Sequence, residues 1–107
     1  MTLEATTLEK LSVLETLYRR GYQSDVIDLT VDKMIALERE RAERELKEFD
    51  IRLKAFEQHY QMRSEDFYRR FQQGQLGDSA DFFEWSAVYA MHQSVVERLE
   101  NFTGKQL

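Results

Sequence analysis

The run SDVIDLTVDKMIALERERAERELKEFDIRLKAFEQHY, residues 24–60, decides the fold. It holds neither glycine nor proline, the residues that most strongly break a helix, and it opens on a serine and an aspartate, the cap and first-turn anion that start one. A single helix over residues 24–60 is therefore predicted. At 1.5 Å per residue it would extend roughly 50–55 Å, whereas a compact chain of this size has a radius of gyration of about 13 Å. Such a helix would overhang a compact body.

Two apolar patterns share this run. Ile27, Val31, Met34 and Ile35 follow a straight helical period, while Ala42, Leu46, Phe49, Leu53, Phe56 and Tyr60 alternate spacings of four and three. The second pattern is a heptad seam, suited to lying along another helix at a shallow angle. A change of register near Glu38 joins the two, and a bend there would divide the rod into two shorter helices. On the outer face Glu40 precedes Arg44, Glu43 precedes Lys47, Glu48 precedes Arg52 and Asp50 precedes Lys54, each by four residues. Such pairs contribute about 0.2–0.5 kcal/mol each and are expected to hold a solvated face helical.

Upstream, Thr6-Thr7-Leu8-Glu9 reads as a capping box for a first helix with Leu8, Leu11, Leu14, Leu17 and Tyr18 on one face, ended by Gly21. Downstream, Gln61-Met62-Arg63 is a connector. Ser64-Glu65-Asp66 caps a short helix carrying Phe67, Tyr68 and Phe71 and closed by Gly74, and Asp78 or Ser79 caps a last helix. That helix aligns Phe82, Trp85, Tyr89, Val96 and Leu99, with Phe83, Val88, Val95 and Phe102 beside them. The tail from Thr103 to Leu107 is expected to fray. The fold class is thus all-α: about four helices, one unusually long, in a helical bundle completed by oligomerisation.

Composition agrees. The 107 residues are 42% hydrophobic and 33% charged, with no proline and four glycines, enough for one core, so residues 1–107 are read as a single domain. The net charge of −5, with acids and bases interspersed, argues against direct nucleic-acid binding, which requires clustered positive charge. No apolar run approaches the roughly 20 residues of a membrane span, and no basic signal-peptide start is present. A cytoplasmic protein without a membrane role is expected. Absence of cysteine excludes disulfides and thiolate metal sites.

Catalytic and cofactor signatures are missing. His59 and His92 lack any metal-ligand spacing, and packing or surface roles are expected for both. Glu65, Asp66, Asp78, Asp81 and Glu84 all lie in first turns or beside caps, where the helix dipole favours negative charge. No phosphate loop, serine elbow or cysteine nucleophile occurs, so neither enzymatic activity nor a cofactor is expected. A small-molecule or catalytic bundle would need a pocket at Trp85, Tyr89 and His92.

Aromatic density points elsewhere. In Phe82-Phe83-Glu84-Trp85 three rings span too wide an arc to face one neighbouring helix. Either they close a small core, or they anchor a partner, since large aromatics dominate interface hot spots. Phe82, Phe83, Trp85 and Tyr89 are the candidate anchors, with Glu43, Asp50 and Glu57 as a charged rim on one side of the seam. In an antiparallel self-pair those carboxylates would meet like charges. A basic partner, or the chain's own last helix, suits that edge better.

The segments Met62-Arg63-Ser64-Glu65-Asp66-Phe67-Tyr68-Arg69-Arg70-Phe71, Gly74-Gln75-Leu76-Gly77-Asp78 and Asp81-Phe82-Phe83-Glu84-Trp85 resemble the C-terminal half of small helical antitoxins of the TumA-like kind. With Val31-Asp32-Lys33 near the start of the long charged helix, the resemblance covers roughly residues 25 to 95. It implies a partner, a TumE-like toxin of a bacterial type II toxin–antitoxin module expected to be a ribonuclease, sequestered through a protein–protein interface. No basic or ribbon-helix-helix segment for operator binding is apparent.

The leading expectation is accordingly an antitoxin-like protein that neutralises its cognate toxin by direct contact. The alternative is a structural self-association module without a toxin, in which copies bury Leu46, Phe49, Leu53, Phe56 and Tyr60 against one another. A homodimer is compatible with either.

Overall fold

The computed structural model describes residues 4–103, which form four helices and no strand: α1 (Thr7–Arg19), α2 (Asp25–Tyr60), α3 (Ser64–Gln72) and α4 (Ala80–Thr103). Helix α2 is assigned without interruption over its 36 residues, Glu38 included. Its residues nevertheless belong to two compact units. The chain up to Met34 forms one with α1, and the chain from Ile35 onward forms the other with α3 and α4.

The first unit is a helical hairpin whose ends follow from local chemistry. The Glu9 amide donates to Thr6 Oγ1 at 3.1 Å, satisfying one of the free amides of the first turn of α1. At the other end Gly21 takes φ +98°, the Gly21 amide donates to Tyr18 O and the Tyr22 amide to Leu17 O, both at 3.0 Å. This pair of bonds is the Schellman motif, which requires a left-handed residue at the glycine. Ser24 then caps α2, accepting from the Ile27 amide at 3.3 Å.

The Tyr18 hydroxyl ties the two helices of the hairpin together. It lies 2.7 Å from Asp28 Oδ1 and 3.0 Å from Ser24 O, and it accepts from the Ser24 amide at 3.2 Å. A phenol has one proton, and the shorter contact to a charged acceptor takes it. The hydrogen bond to Asp28 raises the Tyr18 pKa above its ordinary value.

The second unit is built on an antiparallel pairing of α2 with α4. Arg39 bonds to Phe102 O, Arg98 reaches Glu45, His92 meets Asp50, Phe56 stacks on Trp85 and Tyr60 hydrogen-bonds Asp81. As the α2 number rises the α4 number falls by nearly the same step, so one register holds along the pair. The short α3 fills the corner between them, its Phe67 near-parallel to the Trp85 indole with ring centroids 3.9 Å apart.

Two ends in this unit use devices that differ from the expected ones. Ser64 is the first residue of α3 rather than its cap; the Glu57 carboxylate accepts from the Ser64 amide at 3.0 Å instead. The Ser64 hydroxyl is thereby free to face the core. Gln61, a non-glycine residue at φ +53°, ends α2, and Met62 donates to Glu57 O at 3.3 Å across it. Of the two candidate caps for α4, Ser79 serves, accepting from the Phe82 amide at 3.2 Å. Helix α3 closes as α1 does: Gly74 has φ +71°, and Gln75 donates to Arg70 O.

The four i to i+4 charge pairs expected on α2 do not form ion pairs among the described residues. Arg52 reaches instead to Glu84 on α4 at 3.7 Å, Asp50 to His92 at 2.7 Å, and Glu45 is shared by Arg41 and Arg98 at 3.5 Å each. Helix α4 supplies Glu84 to Arg52, His92 to Asp50 and Arg98 to Glu45 across the pair, while Arg41 keeps an intrahelical contact with Glu45.

Candidate functional site

A site for partner binding must keep apolar groups accessible in the free chain, and the two units differ sharply in this. In the second unit Trp85, Phe67 and Val88 are wholly buried and Leu53 is nearly so, with Phe49, Phe56, Tyr60, Phe71 and Phe82 packed around them. The indole is near-parallel to both Phe67 and Phe56, and its Nε1–H donates to Ser64 Oγ at 2.9 Å. Burying a side chain of this size stabilises by roughly 4–6 kcal/mol before entropy is counted.

Trp85 is therefore corrected from partner anchor to core centre. Phe82 is half-buried against Tyr60 and Phe67, and Tyr89 half-buried against Tyr68 at 4.7 Å between centroids. Burial raises the Tyr89 pKa, with the Glu65 and Tyr68 charges adding to the effect. Phe83 alone of the four stays mostly open, 57% exposed, with its ring edge-on to Phe71 at 5.6 Å. It remains available to a partner.

The seam residues are corrected in the same way. Leu53 is buried in the chain's own core and Phe49, Phe56 and Tyr60 pack against it, while Leu46 is half-buried. Helix α4 packs on this seam from Phe49 to Tyr60 within the same chain. The carboxylate rim divides likewise: Asp50 engages His92, Glu57 caps α3, and only Glu43 stays exposed with no ion pair among the described residues. Glu57 and Asp50 are internal fixtures rather than a free docking edge.

The pocket at Trp85, Tyr89 and His92 that a small-molecule or catalytic bundle would need is not present with Trp85 in its lining, because Trp85 is sealed in the core. Tyr89 and His92 do border a cleft of about 430 Å³ with Asp50, Glu57 and Ser64. Within it Asp50 is engaged with His92, Glu57 with the Ser64 amide and Arg63 with Glu65. Among the described residues no group of three or more His, Asp or Glu could hold a metal ion, and no helix is long and apolar enough to cross a membrane.

The first unit is the opposite case. No residue of α1 is buried, and none of α2 before Ala42 is. Leu8 is 73%, Val26 74% and Leu29 70% exposed, and Leu11, Val13 and Met34 are exposed as well. Between the helices runs a groove of about 560 Å³ floored by Leu11, Leu14, Tyr18, Ile27 and Val31 and edged by Glu15, Asp28 and Asp32. The sequence reading missed this face because it took the apolar residues of α1 as one core stripe. Val13 and Leu29, lying off the stripes of their helices, were the available signal: residues on several faces cannot all be covered by one neighbour.

No protein-family model, curated protein or solved structure matches the chain.

Proposed function

We propose that this chain is an antitoxin-like protein that binds a cognate toxin, a ribonuclease of the TumE-like kind, and neutralises it by direct contact. The observation that carries the reading is the N-terminal hairpin, which exposes large apolar side chains and buries none. Contiguous apolar surface of this kind marks an interaction site, and a two-helix hairpin has too little interior to be an end in itself. The net charge of −5 favours a basic partner and speeds encounter with it.

A self-association module resting on the seam from Leu46 to Tyr60 loses part of its support, because Phe49, Leu53, Phe56 and Tyr60 pack into the chain's own core. Co-expression with the product of the neighbouring gene tests the antitoxin reading directly. The two proteins should co-purify, and growth arrest by the neighbour should be relieved; absence of both outcomes sinks the reading.

A further inference from the structure

Resting on that reading, we propose that the groove between α1 and the first turns of α2 receives a basic amphipathic helix of the partner protein. Leu11, Leu14 and Tyr18 stand at i, i+3 and i+7 on one wall, and Ile27 and Val31 at i and i+4 on the other. This apolar floor is about 10 Å long, the length of two turns of a visiting helix, whose own residues at i, i+3, i+4 and i+7 would fill it.

The edges of the groove decide between occupants. Glu15, Asp28 and Asp32 border it, and neither lysine nor arginine lines it. Glu15 pairs at 3.0 Å with Arg19, Asp28 is held by the Tyr18 hydroxyl, and Asp32 makes no ion pair among the described residues. Three carboxylates thus face one guanidinium. A second copy docked groove to groove about a two-fold axis would set these carboxylates against their own copies around a desolvated floor, which is repulsive. A helix with an apolar stripe flanked by lysines or arginines meets opposite charge at every edge.

The second unit contains the same solution in covalent form. There α4 closes the apolar seam of α2 and carries Arg98 to Glu45 and His92 to Asp50 at its flanks. The hairpin presents the matching acceptor half, an apolar floor with acidic edges, and the partner supplies the third helix.

The probe is a fluorescein-labelled 18-residue Leu/Lys peptide with leucines at i, i+3, i+4 and i+7, titrated with the full chain by anisotropy at physiological salt. A Leu/Glu peptide of the same pattern is the comparison. The Leu/Lys peptide should bind at least about tenfold tighter, Asp32→Lys and Leu14→Gln should each weaken it severalfold, and amide shifts on binding should concentrate in residues 11–32. Equal binding of the two peptides, indifference to both substitutions, or shifts centred on α3 and α4 would overturn the proposal. So would a chain that sediments as a dimer with the groove amides at its interface. The two readings fail separately: relief of growth arrest that survives both substitutions removes the groove alone, whereas peptide binding without relief of arrest removes the toxin alone.

Discussion

The N-terminal hairpin and the C-terminal three-helix unit draw on the same helix, α2, and share many local devices, yet they enclose very different interiors. Both use a serine cap, a Schellman closure at a glycine and a tyrosine hydroxyl donated to an aspartate on another helix. Only the second buries apolar side chains, because a third and fourth helical segment pack across its seam. Caps and turns therefore set where helices start and stop, but two helices leave their outer faces wet however well they are capped. The unit that lacks a third helix is the one that leaves large apolar side chains exposed.

The largest expected effect on this contrast comes from Trp85. Trp85→Ala removes the indole that Phe56 and Phe67 stack on and should destabilise the second unit by about 3–5 kcal/mol in urea unfolding. Leu14→Ala in the hairpin should cost well under half of that in the free chain, since Leu14 is only half-buried. Equal losses from the two substitutions would break the comparison.

Ser64→Ala tests a narrower point. It leaves the buried indole N–H without an acceptor, a loss of about 1–3 kcal/mol. Trp85→Phe in the Ser64→Ala background should cost less than it does in the wild-type chain, because the partner group is already gone. Additive losses in that double-mutant cycle would show that the bond contributes little.

The smallest effect is set by pH. Hydrogen bonding to Asp28 raises the Tyr18 pKa and hydrogen bonding to Asp81 raises that of Tyr60, so each folded unit holds its phenolic proton more tightly than the unfolded chain does. The stabilisation is complete below about pH 10, the unfolded tyrosine value, and is lost as pH rises through the folded values. Circular dichroism and tyrosine ring NMR signals should show the hairpin yielding first as alkali is added, since fewer apolar contacts hold it. Tyr18→Phe should flatten the hairpin's pH response, and Tyr60→Phe should reduce that of the second unit to the part that Tyr89 supplies. A hairpin that outlasts the three-helix unit in alkali would contradict the contrast.

Much of the fold was legible. Thr6, Gly21, Ser24, Gly74 and Ser79 act on the two or three residues beside them, so their positions alone placed the helix ends. The heptad from Ala42 to Tyr60 likewise announced a helical neighbour. Its identity was not legible, since a seam is satisfied equally by a helix of its own chain or of another. The role of Ser64 was misread for a related reason: a hydroxyl at a helix start caps by default, unless a residue distant in sequence, here Glu57, takes the amide and an indole takes the hydroxyl.

The sequence by itself determined four helices, their ends and the unusual length of α2, because helix propensity, capping and turn geometry are decided within a few residues. Tertiary structure decided which faces are covered. Residues distant in sequence, such as Phe56 with Trp85 and Tyr60 with Asp81, meet only because α3 and the turn after it return the chain antiparallel to α2. That return covers Trp85 and half-buries Phe82 and Tyr89, since apolar periodicity states that a face needs cover while packing alone states what provides it.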